Sequence, residues 1–153
     1  MTIRIILADS HRIVRQGLAL LLGGEPGLQV VGQAEDCDTA IEIIRQHSPQ
    51  VVIMDICLPD VNGVEATRRI VSQFPQVKVI ALSMHSDSLF VLNMLNAGAS
   101  GYLLKDCALE ELVKAIRTVA TQKIYLSPGL STTLIKELAS RVTIDVNNNN
   151  NQK

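Results

Sequence analysis

Hydrophobic positions along this chain alternate between two rhythms. Short, nearly continuous apolar runs of four to six residues are separated by longer segments in which apolar residues recur every three or four positions. The central run, Val51-Val52-Ile53-Met54-Asp55, reads as a strand buried on both faces that ends on a carboxylate, and Pro59, Asn62 and Gly63 mark the loop after it. Ile3 to Ala8, Leu28 to Ala34, Lys78 to Ser83 and Tyr102 to Lys105 supply four further strands, the second of them polar enough to lie near an edge.

Between the strands, Ile13, Val14, Gly17, Leu18, Leu21 and Leu22 trace the apolar face of a first helix, with Arg12, Arg15 and Gln16 opposite. Ser10 is a possible cap, and Gly23-Gly24 a stop. Asp36 or Asp38 can cap a second helix through Ala40, Ile41, Ile43 and Ile44, ending near His47 before Pro49. Val64, Thr67, Ile70, Val71 and Phe74 trace a third helix, closed by Pro75. In a fourth, Leu89, Phe90, Val91, Leu92, Met94 and Leu95 are more apolar than one sheet-facing stripe requires. Part of it meets another surface, or the helix is more deeply buried than its neighbours. The fifth, Ala108 to Thr121, is amphipathic, with Glu110 and Glu111 in its first turn, where the helix dipole favours them.

Five strands alternating with five helices predict a doubly wound parallel α/β sheet of flavodoxin-like type, (βα)5, with strand order 2-1-3-4-5. Ligands of such sheets bind beyond the carboxyl ends of the strands. Asp9 and Ser10 follow the first strand, Asp55 ends the third, Ser83 ends the fourth and Lys105 ends the fifth, so two carboxylates, two hydroxyls and a lysine are predicted to meet on one rim.

Composition narrows the chemistry. The chain of 153 residues is 47% hydrophobic and 19% charged, the profile of one ordinary globular domain. A net charge of -1 argues against this polypeptide alone gripping a nucleic acid backbone. Cys37, Cys57 and Cys107 have no CxxC spacing and read as reduced thiols; without a signal-peptide pattern or membrane span, a cytoplasmic protein is expected. No GxGxxG or Walker A loop suggests nucleotide binding.

The ordered set Ala8-Asp9-Ser10-His11, Val14-Arg15-Gln16-Gly17-Leu18, Met54-Asp55-Ile56-Cys57-Leu58-Pro59-Asp60, Asn62-Gly63, Leu82-Ser83 and Ala97-Gly98-Ala99-Ser100-Gly101-Tyr102-Leu103-Leu104-Lys105 resembles the receiver domain of bacterial two-component response regulators, within the NarL/FixJ group that carries a LuxR-type helix-turn-helix. The likeness covers about residues 3 to 127. It implies phosphoryl transfer from a histidine kinase onto Asp55, with Lys105 pairing a phosphoryl oxygen and Ser83 donating to another. It also implies Mg2+ bridging Asp55, the Asp9 region and the backbone carbonyl of Cys57. Tyr102 matches the switch aromatic, expected to turn inward as Ser83 moves toward the phosphate; a Tyr simply packed at the sheet rim is the alternative. The module is expected to signal rather than to act as an enzyme on other substrates, and to form a homodimer.

The family pattern has an acidic pair after the first strand, and here Ser10 stands at the second position, which usually contacts the metal directly. Ser10 is a weaker ligand, and reduced Mg2+ affinity with slow phosphorylation is expected. The alternative is a pseudo-receiver, a phosphorylation-independent dimerisation or interaction module. His11 and His85, with Cys57, offer a less specific transition-metal reading; His85 is more simply a residue that tunes water access. Cys57 lacks a sequence-level activating base and reads as structural. Asp106 follows Lys105 where many relatives have a cis proline, so a trans bond is expected.

Residues 1–127 are thus assigned to the receiver. Residues 128–153 are assigned to a short amphipathic helix through Leu130, Leu134, Ile135 and Leu138, then an Asn147–Asn151 linker expected to lead to a DNA-binding helix-turn-helix.

Overall fold

The computed structural model describes residues 2–84, 87–130 and 136. Among the described residues, five helices alternate with the strands of one parallel sheet. In chain order these are β1 (Ile3–Ala8), α1 (Arg12–Gly23), β2 (Leu28–Ala34), α2 (Cys37–His47), β3 (Val51–Asp55), α3 (Gly63–Gln73), β4 (Lys78–Ser83), α4 (Ser88–Asn96), β5 (Gly101–Leu104), α5 (Leu109–Ala120) and β6 (Tyr125–Leu126). The order across the sheet is β2-β1-β3-β4-β5-β6, the expected doubly wound arrangement extended by one strand. The added β6 has only two residues, pairing with Gly101 and Tyr102, too short to show a strand rhythm of its own.

Side-chain alternation splits the core into two layers. Ile6, Ala8, Val52, Met54, Val79, Ala81 and Tyr102 face the side of α2, α3 and α4, while Ile5, Leu7, Val51, Ile53, Ile80, Leu82 and Leu103 face the side of α1 and α5. A strand covered on both faces has no solvent side to mark with polar residues, and every residue of β3 is buried. The edge strand β2 is half-exposed along its middle.

Local capping explains most helix starts. Asp36 accepts from Thr39 N at 2.7 Å, Asn62 from Glu65 N at 2.9 Å and Asp87 from Leu89 N at 2.8 Å. At α1 the cap is His11 rather than Ser10, and it makes no side-chain cap bond. The physical reason is the carboxylate of Asp9, which accepts the His11 N–H at 2.8 Å and so turns the chain one residue later.

Of the two readings of α4 the structure bears out deeper burial, and one expectation, for α1, changes. In α4, Val91, Leu92 and Met94 are buried and only Leu89 is substantially exposed, so the apolar excess is mostly absorbed by packing against α3 and β5. In α1 the reverse holds: Ile13 is 86% and Leu20 80% exposed, Leu21 is also exposed, and Leu22 alone is fully buried. An apolar surface therefore lies on α1, where the spacing had placed an inward face.

After β6, Ser127 and Leu130 are buried, Leu130 against the layer that holds α4. The rest of the expected C-terminal helix and the Asn147–Asn151 linker fall outside the described residues, as does His85. Among the described residues every peptide bond is trans, including that joining Lys105 to Asp106, and no helix is long and apolar enough to cross a membrane.

Candidate functional site

Strand register brings the rim residues together. Ala8 lies opposite Met54, which sets Asp9 beside Asp55; Asp55 lies opposite Leu82, and Ser83 opposite Leu104, which carries Lys105 to the same edge. Asp9, Asp55 and Ser83 are all buried. Lys105 reaches across them, with Nζ 3.1 Å from Asp55 Oδ2 and 3.6 Å from Asp9 Oδ2. Two carboxylates this close would repel, and the ammonium between them is the charge that makes their burial tolerable.

The Asp55 carboxylate is held by its own loop. Oδ1 accepts the Cys57 N–H at 3.1 Å, which puts the Cys57 backbone at the rim. Oδ2 takes no hydrogen bond of good geometry and points toward Lys105 Nζ and, at 3.8 Å, His11 Nδ1. The loop is closed behind it by Gly63, whose N–H donates to Ile56 O at 2.9 Å and whose added Cβ would stand 2.7 Å from Ile56 Cα. Only a residue without a side chain fits that approach.

Two residues of the site were not legible as such. His11, weighed only within a loose metal reading, places Nδ1 3.0 Å from Asp9 Oδ1 and is the side chain that reaches the carboxylates from the turn after β1. Asp60 ties the Asp55 loop to α2, accepting the N–H groups of Cys37 and Asp38 at 3.0 Å each. Partial desolvation pushes its carboxyl up, but the N–H donors of Cys37, Asp38, Asp60 and Val61 outweigh it and hold the group below the usual carboxylate range. Its partners lie more than twenty residues away in sequence, so no local pattern announces them. Arg15, expected to point outward, instead folds back to donate from its guanidinium to the Asp9 carbonyl at 2.6 Å.

On the α4 side, Tyr102 is fully buried, shares a hydrogen bond with Ser83 and meets Phe90 edge-on with ring centroids 6.5 Å apart. Burial pushes its phenol up, against the opposing pull of the Ser83 bond. The ring occupies the inward position. Cys37 is buried under the α2 terminus, and desolvation raises its thiol to about 11, which suits a packing role rather than a nucleophile.

The cluster also fits a divalent cation. Asp9, His11 and Asp55 offer ligand atoms all within 4.8 Å of one another, and the buried Asp55 Oδ2 is directed into that space. Carboxylate oxygens are the donors that Mg2+ prefers.

Residues 5–117 match the model of the response regulator receiver domain. The chain belongs to this family. Its relatives place this receiver in the NarL/FixJ group. It is 41% identical over 143 residues to the transcriptional regulatory protein DegU of Brevibacillus brevis, covering 94% of this chain and 61% of DegU. Among solved structures it is similar to a LuxR-family two-component response regulator from Aurantimonas sp. SI85-9A1, with 37% identity, a TM-score of 0.86, and coverage of 91% of this chain and 99% of that one. It also resembles the isolated receiver of RcsB from Salmonella enterica serovar Typhimurium in the presence of the phosphomimetic BeF3-, with 26% identity, a TM-score of 0.80, and coverage of 88% of this chain and 99% of that one. The chain spans about three fifths of the length of the curated relatives it matches.

Proposed function

We propose that this receiver accepts a phosphoryl group from a sensor histidine kinase on Asp55 and so switches the dimerisation of a LuxR-type transcription factor. The observation that carries the reading is Lys105 Nζ 3.1 Å from Asp55 Oδ2, with Asp9 and Ser83 on the same rim. An Asp55 oxygen attacks phosphorus in line with the leaving group. The reaction needs little covalent help beyond positioning and neutralisation of oxygen charge. Lys105 pairs with a phosphoryl oxygen, and the Cys57 N–H keeps Asp55 oriented. Asp9, Asp55 and the Cys57 carbonyl, with Ser10 as a weak fourth, are the residues that would hold a divalent cation, Mg2+ in the family. That cation, when bound, supplies further neutralisation of phosphoryl charge.

Ser83 and Tyr102 form the proposed switch. A Ser83 hydroxyl recruited by a phosphoryl oxygen changes its bond to Tyr102, and Phe90 couples that ring to α4. The acyl phosphate is a signal rather than a released product. Dimerisation through α1 is favoured over α4 by the exposed Ile13, Leu20 and Leu21. DNA would be bound through a helix-turn-helix beyond residues 128–153; structures of RcsB include dimers bound to DNA.

Incubation with a small phosphodonor and a divalent cation, followed by intact-mass measurement, tests the reading. One phosphoryl adduct on the wild type and none on Asp55→Asn is expected. No adduct on either would favour the pseudo-receiver, for which Ser10 is the specific observation.

A further inference from the structure

We propose that His11 is a direct ligand of the cation held by Asp9 and Asp55, and that the site therefore prefers a first-row transition divalent cation to Mg2+. The inference rests on the reading of this rim as a cation-assisted phosphoacceptor site.

The argument starts from Ser10. A neutral hydroxyl stands where a second carboxylate is normal, so the rim offers one negative charge fewer to a cation. Asp9 accepts the His11 N–H, α1 starts one residue later than Ser10, and His11 becomes the cap of the helix, with its side chain free of capping duty. The ring then turns back over the rim, with Nδ1 3.0 Å from Asp9 Oδ1 and 3.8 Å from Asp55 Oδ2.

The 3.0 Å contact is a hydrogen bond as it stands, and with all three ligand atoms within 4.8 Å of one another the same ring nitrogen is within reach of a cation held by both carboxylates. Neighbouring donors on an octahedral ion with bonds of roughly 2.1 Å stand about 3 Å apart. Both carboxylates are buried and fixed, whereas the His11 side chain is 64% exposed, so it can adjust to the ion while remaining open to solvent delivery. An imidazole nitrogen added to the Asp9 and Asp55 oxygens, the Cys57 carbonyl and the weak Ser10 hydroxyl would make a mixed donor set. Imidazole adds affinity for Mn2+, Fe2+ and their neighbours, while Mg2+ favours oxygen and keeps its water. A hydroxyl at position 10 with the imidazole of His11 beside it therefore changes which ion the site selects, rather than only weakening it.

Mn2+ is the probe for the test, because its spin reports nitrogen coordination. Calorimetric titration of the full chain with Mn2+ and with Mg2+, pulsed electron paramagnetic resonance of the Mn2+ form, and phosphodonor mass measurement are carried out on wild type, His11→Ala and Asp55→Asn. We expect nitrogen coupling in the wild type that His11→Ala removes. That variant should lose about tenfold or more in Mn2+ affinity, with Mg2+ affinity changed less than about twofold. Absence of coupling in wild type, its survival in His11→Ala, or an equal loss for both ions would overturn the proposal. If wild type still forms the Asp55 adduct in any of these cases, the phosphoacceptor reading stands and only the role of His11 falls. No Mn2+ binding together with no adduct would remove both.

Discussion

Lys105 Nζ lies closer to Asp55 Oδ2 than to Asp9 Oδ2, 3.1 Å against 3.6 Å, and is the cation on which both buried carboxylates depend. Removing it and removing one carboxylate should have opposite effects on stability. In Lys105→Met the paired acids keep only the His11 contacts, and a loss of about 2 kcal/mol is expected, below the range for fully buried pairs because the lysine side chain is 20% exposed. In Asp55→Asn the repulsion is relieved, and metal-free stability should rise by about 1 kcal/mol although phosphorylation is lost. Urea denaturation in chelator reads both, and a shift of the same sign in the two variants would contradict this account.

The bond between Tyr102 and Ser83 is a second test point. Tyr102→Phe keeps the ring against Phe90 but deletes the hydroxyl, so a cost of about 1 kcal/mol is expected from the lost buried hydrogen bond. Adduct formation on Asp55 should persist in this variant while dimerisation in response to it weakens. Sedimentation with and without phosphodonor separates the two.

Asp60 carries a pH signature. Its carboxyl is held below the usual range, so its contribution to stability is present above the unfolded value of about 3.9 and is lost as pH falls through the folded value. Asp60→Ala should cost about 1 kcal/mol at neutral pH, the typical magnitude for losing a helix-terminus acceptor. The gap between wild type and variant should then close in acid. Denaturation midpoints followed from neutral pH into acid would show the gap begin to narrow only below pH about 4.

Gly63 offers a purely steric prediction. A Cβ there meets Ile56 backbone at 2.7 Å, so Gly63→Ala must move the loop that presents the Cys57 N–H to Asp55. A loss of roughly 1–3 kcal/mol, as for other overpacked sites, is expected together with slower adduct formation. A variant as stable and as fast as wild type would show that the loop has slack.

What was legible in the sequence was whatever one strand or one turn decides locally. Asp55 could be found because four buried apolar residues lead straight into it, and Asp36 because a cap and its helix are neighbours. Lys105 and Ser83 followed once the strand order was inferred, since register carries them to the same edge. His11 and Asp60 were not readable in this way. The place of His11 is set by an Asp9 carboxylate that shifts the helix start, and that of Asp60 by backbone donors from a helix formed much earlier in the chain. The α1 surface was misjudged for a related reason: spacing reports that a helix has an apolar face, but only packing decides whether the sheet covers it.

Lys105 straddling two acids means that the domain arrives already neutralised by a tethered charge of its own. A cation entering between the same two acids would compete with an ammonium that its own side chain keeps at high local concentration. The apparent affinity for any ion would be lowered by that competition, and a lysine so displaced would be free to pair elsewhere on the rim.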